Sequence, residues 1–395
     1  MKKRTLTDVG GVFGSPVKAG IKRDPSKYDL AFLFVPQAKA CAGVFTTNKF
    51  RAASVTHTEN ATRNGIVKAL VVNAGNANAC TGDLGVQAVE ETAKIAAEYL
   101  GISEQEVAVA STGIIGVPLP MDKVRAGLAK LLTNKNAREG ELVEQAILTT
   151  DLVEKNTWIE RSLSGGVLKI AGITKGSGMI APSMATTLSY VVLNADVSQE
   201  RLTEILKRAT DKTFNMITVD GEASTNDMVL DFATGEVPVS TEADYLELEN
   251  ALTESLEDLA VQIVKDGEGA TKLVEVSVEN AASNAQARKI ALSICNSPLV
   301  KTAMCGEDPN WGRILSAAGK TPDVTIDPTK ADLYFGTQQI VKAGVPLGKP
   351  REDFKPHLQG KEISVRLVLN VGDGEAKAWT CDLTHGYIDI NVAYS

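Results

Sequence analysis

The stretch GMIAPSMATTLSY, residues 178 to 190, places Thr186 and Thr187 after a run of small apolar residues. The stretch begins with a glycine and leads into an apolar pattern typical of a strand. One interpretation is a turn that enters a buried strand. The other is that one of the two threonines is a nucleophile, in which case something must activate its hydroxyl group.

A threonine hydroxyl is a poor nucleophile unless a base lies beside it. One chemical solution is to cleave the chain before the threonine, so that its own α-amine becomes the base. The pKa of an α-amine is about 7.7 to 8.0, which suits a general base at cellular pH. Ala185 is small and would allow the strained turn that an N-to-O acyl shift needs. The sequence is therefore compatible with Thr186 as a nucleophile whose α-amine is freed by self-cleavage of the chain.

Two further polar segments follow apolar runs. STGIIG, residues 111 to 116, sets Thr112 beside Gly113, and such a pair of donors could hold an oxyanion. NAGNANACTG, residues 73 to 82, is either a turn, because asparagine and glycine tolerate positive φ, or a loop that faces a substrate.

Metal and nucleotide chemistry receive little support. The chain has three histidines and five cysteines without a CxxC pair, which disfavours a zinc site or a disulfide framework. The glycine-rich segments at 219–225, 264–272 and 319–325 lack the spacing of a phosphate-binding loop. We therefore expect neither a metal nor a nucleotide cofactor.

Composition bounds the class of protein. The 395 residues are 44% hydrophobic and 23% charged, as in soluble globular proteins, and exceed the size of one ordinary core, so two lobes are expected. A net charge of -8 argues against nucleic acid or an anionic membrane as partner. There is no apolar run of about 18 residues and no signal-peptide pattern, so we expect a cytoplasmic protein.

The elements that must position these residues alternate between strand and helix. Their order predicts an α/β (α+β) layered sandwich in which helices cover mixed sheets. Strands are predicted at 30–36, 66–80, 106–116, 157–173 (a hairpin), 186–197, 271–280, 362–372, 377–383 and 387–395, and helices at 83–101, 121–133, 139–148, 198–213 and 241–265.

Eight segments together resemble the blocks of one enzyme family, the ornithine acetyltransferases of arginine biosynthesis, also called glutamate N-acetyltransferases. They are AGVFTTNKFRAA, NAGNANACTG, STGIIG, ILTTD, KGSGMIAPSMATTLSY, TVDGEASTND, KDGEGATK and GEDPNWGRI. The likeness runs from about residue 8 to the last residue, and the KGSGMIAP…MATT and GEDPNWGRI blocks are highly specific.

The resemblance implies that the precursor cuts itself between Ala185 and Thr186. The products are an α chain of residues 1–185 and a β chain of residues 186–395, with Thr186 as the nucleophile. By the same likeness, Thr112 and Gly113 match the family's oxyanion pair.

The resemblance also implies a set of substrate contacts. The matching positions are Thr150, Lys175, Thr186, Glu268 and Asn391. The family often ends one residue later in a Ser or Thr that also contacts substrate, and Ser395 is the last residue here, so Ser395 is the candidate for that contact.

The implied fold is a two-lobed sandwich similar to the DmpA-like fold, in which both chains contribute to one active site. Members usually assemble as (αβ)2.

The implied activity is transfer of an acetyl group from N-acetylornithine to glutamate through an acetyl-Thr186 intermediate, with ping-pong kinetics. Bifunctional members of the family also accept acetyl-coenzyme A. Two other readings stay open at this point. One is a self-processing aminopeptidase or amidase of similar fold, and the other is a binding or scaffold protein that has kept the fold without the activity.

Overall fold

The structure is a computed structural model that describes residues 3–181 and 187–393. Fifteen strands lie in the described residues: β1 Phe13–Val17, β2 Leu30–Phe34, β3 Ala40–Phe45, β4 Ala69–Asn76, β5 Val107–Ile114, β6 Lys155–Leu163, β7 Gly166–Lys175, β8 Leu188–Asp196, β9 Met228–Pro238, β10 Leu273–Ala281, β11 Asp332–Phe335, β12 Gln338–Lys342, β13 Val345–Pro346, β14 Glu362–Val368 and β15 Gly374–Cys381.

Eleven α-helices lie in the same described residues, besides short 3-10 turns. They are α1 Ala53–Asn64, α2 Gly82–Leu100, α3 Met121–Leu131, α4 Gly140–Ile147, α5 Gln199–Lys212, α6 Glu242–Lys265, α7 Asn284–Cys295, α8 Pro298–Cys305, α9 Trp311–Gly319, α10 Lys355–Leu358 and α11 His385–Ala393. None of these helices is long and apolar enough to cross a lipid bilayer.

The chain divides into two compact units. The first comprises Met1–Gly176, Ser183–Asn215 and Ala223–Ile263, and the second comprises Ser177–Pro182, Met216–Glu222 and Val264–Ser395. These units describe packing, and they do not coincide with the two chains that a cut before Thr186 would create.

The first unit contains two sheets. The four-stranded sheet has the order β1-β2-β4-β5, and the five-stranded sheet has the order β3-β9-β8-β7-β6. Each has one parallel pair, β4 with β5 and β8 with β9, while the other neighbours are antiparallel. Both sheets are therefore mixed, as the sequence predicted.

Successive side chains of each strand point to opposite faces of its sheet, and the apolar ones on each face pack against the next layer of this unit. Leu33 and Val72 from the first sheet share one core with Tyr190 and Leu230 from the second, so the sheets pack face to face. The opposite face of the first sheet packs against α2 and α3. On the second sheet, Gly172 lies close under Leu259 of α6. The order of layers is helix, sheet, sheet, helix.

The second unit has one six-stranded sheet of order β13-β12-β11-β14-β10-β15. Only β10 and β14 are parallel in it, and α7 packs against β10 and β15. The predicted α/β layered sandwich with mixed sheets is confirmed.

Local signals in the sequence mark the element ends well. Gly101 ends α2 with φ +73, a conformation that glycine adopts without steric cost. Ser198 begins α5, and its side chain accepts from the Arg201 N–H.

The prediction of a strand at 387–395 is wrong, because the described part of this segment, residues 387–393, belongs to α11. Its alternating apolar residues also place Ile388 and Val392 four apart, a helical spacing. Two local contacts favour the helix: the Thr384 hydroxyl accepts from the Gly386 N–H, and the Asn391 amide donates to the Tyr387 carbonyl.

Candidate active site

Thr112 and Gly113 lie at the carboxyl end of β5, beside the end of β4. The parallel register sets Ala74 opposite Thr112 and Gly75 opposite Gly113. Gly113 has φ +133, and a Cβ atom there would lie 2.3 Å from the Gly75 carbonyl carbon. Only glycine fits this approach, and it brings the NAGN and STG segments together at one sheet edge.

Lys175, the last residue of β7, reaches Thr112 from the other sheet of the first unit. Its Nζ donates to the Thr112 Oγ1 at 3.1 Å, and Thr112 is only 8% exposed. Because the ammonium occupies an acceptor position on this oxygen, the Thr112 hydroxyl hydrogen is directed elsewhere and can be donated to a ligand.

The residue that follows the predicted nucleophile is fixed by a buried group of hydroxyls. Thr187 Oγ1 donates to the Lys175 carbonyl at 2.8 Å and shares hydrogen bonds of 2.6 and 3.0 Å with Thr174 and Ser189. Thr187 is 2% exposed. Its hydroxyl therefore has a structural role, and of the two adjacent threonines Thr187 is the poor candidate for the nucleophile.

Thr150 lies in the loop between α4 and β6, and its neighbour Asp151 ties this loop to β7. The Asp151 carboxylate accepts from the Gly176 N–H at 2.7 Å, directly after Lys175. Asp151 lies within the ILTTD segment, but its residue type and spacing predicted no role for it.

Lys22 is a second cation in this part of the first unit. Its Nζ donates to the carbonyls of Tyr28 and Ala146 at 2.6 and 3.2 Å. Burial, with a smaller contribution from the charges of Lys27 and Lys175, lowers the pKa of Lys22 to about 8, while the charges of Asp29 and Asp151 oppose the change. No motif in the sequence singled out Lys22.

In the second unit, two of the predicted substrate contacts, Glu268 and Asn391, are hydrogen-bonded to each other. The Asn391 amide donates to Glu268 Oε2 at 2.9 Å, and the Glu268 N–H donates to the Ser177 carbonyl at 2.9 Å. Gly178 lies against the same carboxylate, since a Cβ there would be 2.3 Å from Oε2. Glu268 is 9% exposed, so its carboxylate is largely shielded from solvent.

Asp220 of the second unit holds the backbone at Met179 and Ile180. Its two carboxylate oxygens accept from the N–H groups of Met179 and Ile180 at 2.7 and 2.9 Å. The Tyr387 hydroxyl also donates to it at 3.3 Å, and burial together with the Asp220 charge raises the pKa of that tyrosine. The block TVDGEASTND contains Asp220, but no spacing rule predicted this contact.

Three predicted site residues, Ala185, Thr186 and Ser395, lie outside the described residues. Within the described ranges 3–181 and 187–393, no group of three or more His, Cys, Asp and Glu side chains could hold a metal ion.

Comparison with known proteins identifies the family. The model of the ArgJ family matches residues 14–395. The "Arginine biosynthesis bifunctional protein ArgJ" of Bacillus thuringiensis subsp. konkukian is 44% identical over 380 residues, covering 95% of this chain and 92% of that protein. The protein of the same name from Symbiobacterium thermophilum is 45% identical over 394 residues, covering 98% of each.

A solved structure is also similar in sequence. The arginine biosynthesis bifunctional protein argJ of Bacillus halodurans is 40% identical, with a TM-score of 0.49, over 51% of this chain and 96% of that chain. The family match spans residues 14–395, which contain every predicted site residue, and the two alignments cover 95% and 98% of this chain. The chain therefore belongs to the ArgJ family.

Proposed function

We propose that this protein transfers the acetyl group of N-acetylornithine to glutamate, through an acetyl ester on Thr186, as a step of arginine biosynthesis. Membership of the ArgJ family supports the reaction. The observation that carries the proposal is the contact of the Lys175 ammonium with the Thr112 hydroxyl, because Lys175 also pairs with Leu188, the first residue of β8 and the second residue after Thr186.

The nucleophile is generated by self-cleavage in this proposal. The Thr186 hydroxyl attacks the Ala185 carbonyl, the peptide C–N bond breaks, and an ester links the two residues. Water then hydrolyses the ester, which leaves a carboxylate on Ala185 and both a free hydroxyl and a free α-amine on Thr186. The products are the chains 1–185 and 186–395, and the amine is the general base.

In the first half-reaction, Thr186 Oγ attacks the acetyl carbonyl of N-acetylornithine while the α-amine takes the hydroxyl proton. The oxyanion is stabilised by the Thr112 hydroxyl and the Gly113 N–H, and one such donor contributes about 3 kcal/mol. The amide C–N bond breaks, the amine returns its proton to the leaving nitrogen, and ornithine departs.

In the second half-reaction, the amino group of glutamate attacks the acetyl-Thr186 ester. One acetyl amide is thus exchanged for another, and the balance requires no oxidant, reductant or energy donor. Water must be kept from the ester, because hydrolysis would lose the acetyl group.

Both substrates carry an α-carboxylate, which can pair with Lys175. Thr150 is the hydroxyl that we assign to the same substrate group. For the opposite charge, Glu268, held by Asn391, is the partner of a substrate ammonium.

The relatives are named bifunctional proteins, and acetyl-coenzyme A is the second donor that we assign to this chain. The same ester would form, with coenzyme A as the leaving group, and glutamate would be acetylated afresh. Release of free thiol that depends on glutamate and is lost in Thr186→Ala tests this activity. We also propose an (αβ)2 assembly, which light scattering of the processed protein tests.

Initial rates test the main reaction. Varying N-acetylornithine at several fixed glutamate concentrations should give parallel double-reciprocal lines, as expected for a ping-pong mechanism. Labelled ornithine should also exchange into N-acetylornithine in the absence of glutamate. Loss of N-acetylornithine at equal rates with and without glutamate would instead indicate a hydrolase, and absence of turnover would indicate a binding protein.

A further inference from the structure

Asp151 joins two segments that carry predicted substrate contacts. Its Oδ1 accepts from the Gly176 N–H at 2.7 Å and from Lys155 Nζ at 2.8 Å, and its Oδ2 accepts from the Thr149 N–H at 3.0 Å. Thr149 precedes Thr150, and Gly176 follows Lys175. One carboxylate therefore fixes the backbone next to both residues.

The Asp151 carboxylate is charged although it is enclosed. The side chains of Asp151 and Lys155 are both 0% exposed. Burial alone would raise the pKa of Asp151, but the charges of Lys175 and Lys155 and the hydrogen bonds bring it down to about 2. At neutral pH the carboxylate is an anion that acts on the Lys175 ammonium as well as on the backbone beside it.

We propose that Asp151 is a positioning residue, which directs Lys175 and Thr150 toward the carboxylate of the substrate. The inference rests on the proposed function, because it names the part of the structure that orients the carboxylate contacts of that reaction. Asp151 does not touch the reacting atoms in this account, and it acts through the two segments that it holds.

The alternative role for Asp151 is to neutralise the buried positive charge of Lys155. Lys155 begins β6 and pairs with Thr174 of β7, so it is part of the sheet, and its buried ammonium requires a counter-ion. Replacing Asp151 alone would remove a counter-ion of this buried cation and destabilise the protein. A double variant that removes both charges separates folding from positioning.

The experiment compares Asp151→Asn, Lys155→Met and the double variant with the wild type. Asp151→Asn should raise KM for both N-acetylornithine and glutamate about tenfold, with a smaller change in kcat. Lys155→Met should keep KM within about twofold. The double variant should recover the thermal midpoint that Asp151→Asn loses, while its KM stays raised.

A substrate without the carboxylate supplies the matched control. N-acetylputrescine has the shape of N-acetylornithine without its α-carboxylate, so the ratio of wild-type to Asp151→Asn kcat/KM should be close to one for it. A merely structural defect would lower kcat/KM equally for N-acetylornithine and N-acetylputrescine.

Two outcomes would overturn the inference: a double variant with wild-type KM, or an equal loss of kcat/KM for N-acetylputrescine. If the wild type transfers no acetyl group, the proposed function itself fails, and that result is distinct from both.

Discussion

The Lys175 ammonium donates to the Thr112 hydroxyl at 3.1 Å, and this bond joins the carboxyl ends of β7 and β5 in the first unit. The two residues come from different sheets and different family blocks. Their contact gives Thr112 a fixed acceptor role toward Lys175 and leaves its hydroxyl hydrogen for the oxyanion. Each end of this bond can be tested separately.

Thr112→Val keeps the shape of the side chain and removes the hydroxyl. We expect kcat to fall about 100- to 1,000-fold, because a donor to the oxyanion is lost, with a smaller change in KM. Steady-state rates of the processed protein measure this. Ser111→Ala is the matched control, since the Ser111 hydroxyl donates to Asn73 instead. An equal loss of kcat in Thr112→Val and Ser111→Ala would contradict the role of Thr112 as a donor to the oxyanion.

Lys175→Met retains the length of the side chain and removes its charge. KM should rise about tenfold or more for N-acetylornithine and for glutamate alike, since a hydrogen bond to a charged group contributes about 1.5 to 3 kcal/mol. The measurement is KM for each substrate under identical conditions. Unchanged KM values for both substrates would show that the substrate α-carboxylate binds elsewhere.

Gly113→Ala should destabilise the protein and abolish turnover. The new Cβ would lie 2.3 Å from the Gly75 carbonyl carbon in a backbone with φ +133, so β4 and β5 would have to separate. Gly116→Ala is the control: its φ is +84, but no atom lies within 4 Å of the added Cβ. Thermal unfolding and activity of both variants test the difference, and equal effects would argue against a close approach at Gly113.

The sequence predicted about half of the elements in the described residues, and it predicted neither β9 nor α7. The resemblance indicated Thr112, Lys175, Glu268 and Asn391 only as separate positions. The distance between Thr112 and Lys175 depends on how two sheets pack, and no local pattern encodes it.

Residues whose roles come only from tertiary contacts were missed. Asp151, Lys22 and Asp220 act on backbone or charge in distant segments, and each side chain alone looks like an ordinary surface charge. The C-terminal strand prediction failed for a related reason. Alternation in 387–395 fits a half-buried strand, but α11 satisfies its polar groups locally.

The Asp151 pKa predicts a specific acid dependence of stability. Its ordinary value of 3.8 falls to about 2 in the folded protein, which corresponds to about 2 kcal/mol. Because the folded-state pKa is depressed, this stabilisation is present above pH 4 and is lost as the pH falls toward 2. About 1 kcal/mol of it should disappear between pH 6 and pH 3.

Urea unfolding at those two pH values measures this loss in the wild type and in Asp151→Asn. The variant should lose less of its free energy of unfolding over this interval than the wild type does. An identical loss in both proteins would mean that Asp151 is not held as a buried anion.

The central claim is that Thr186, exposed by chain cleavage, carries the acetyl group. The direct measurement is the intact mass of the 186–395 fragment after incubation with N-acetylornithine alone. We predict a gain of one acetyl group that disappears on addition of glutamate and is retained in Thr187→Val, whereas the Thr186→Ala chain stays uncleaved and its full-length mass gains no acetyl group. An uncleaved wild-type chain, or an acetyl adduct that persists in Thr186→Ala, would contradict the account.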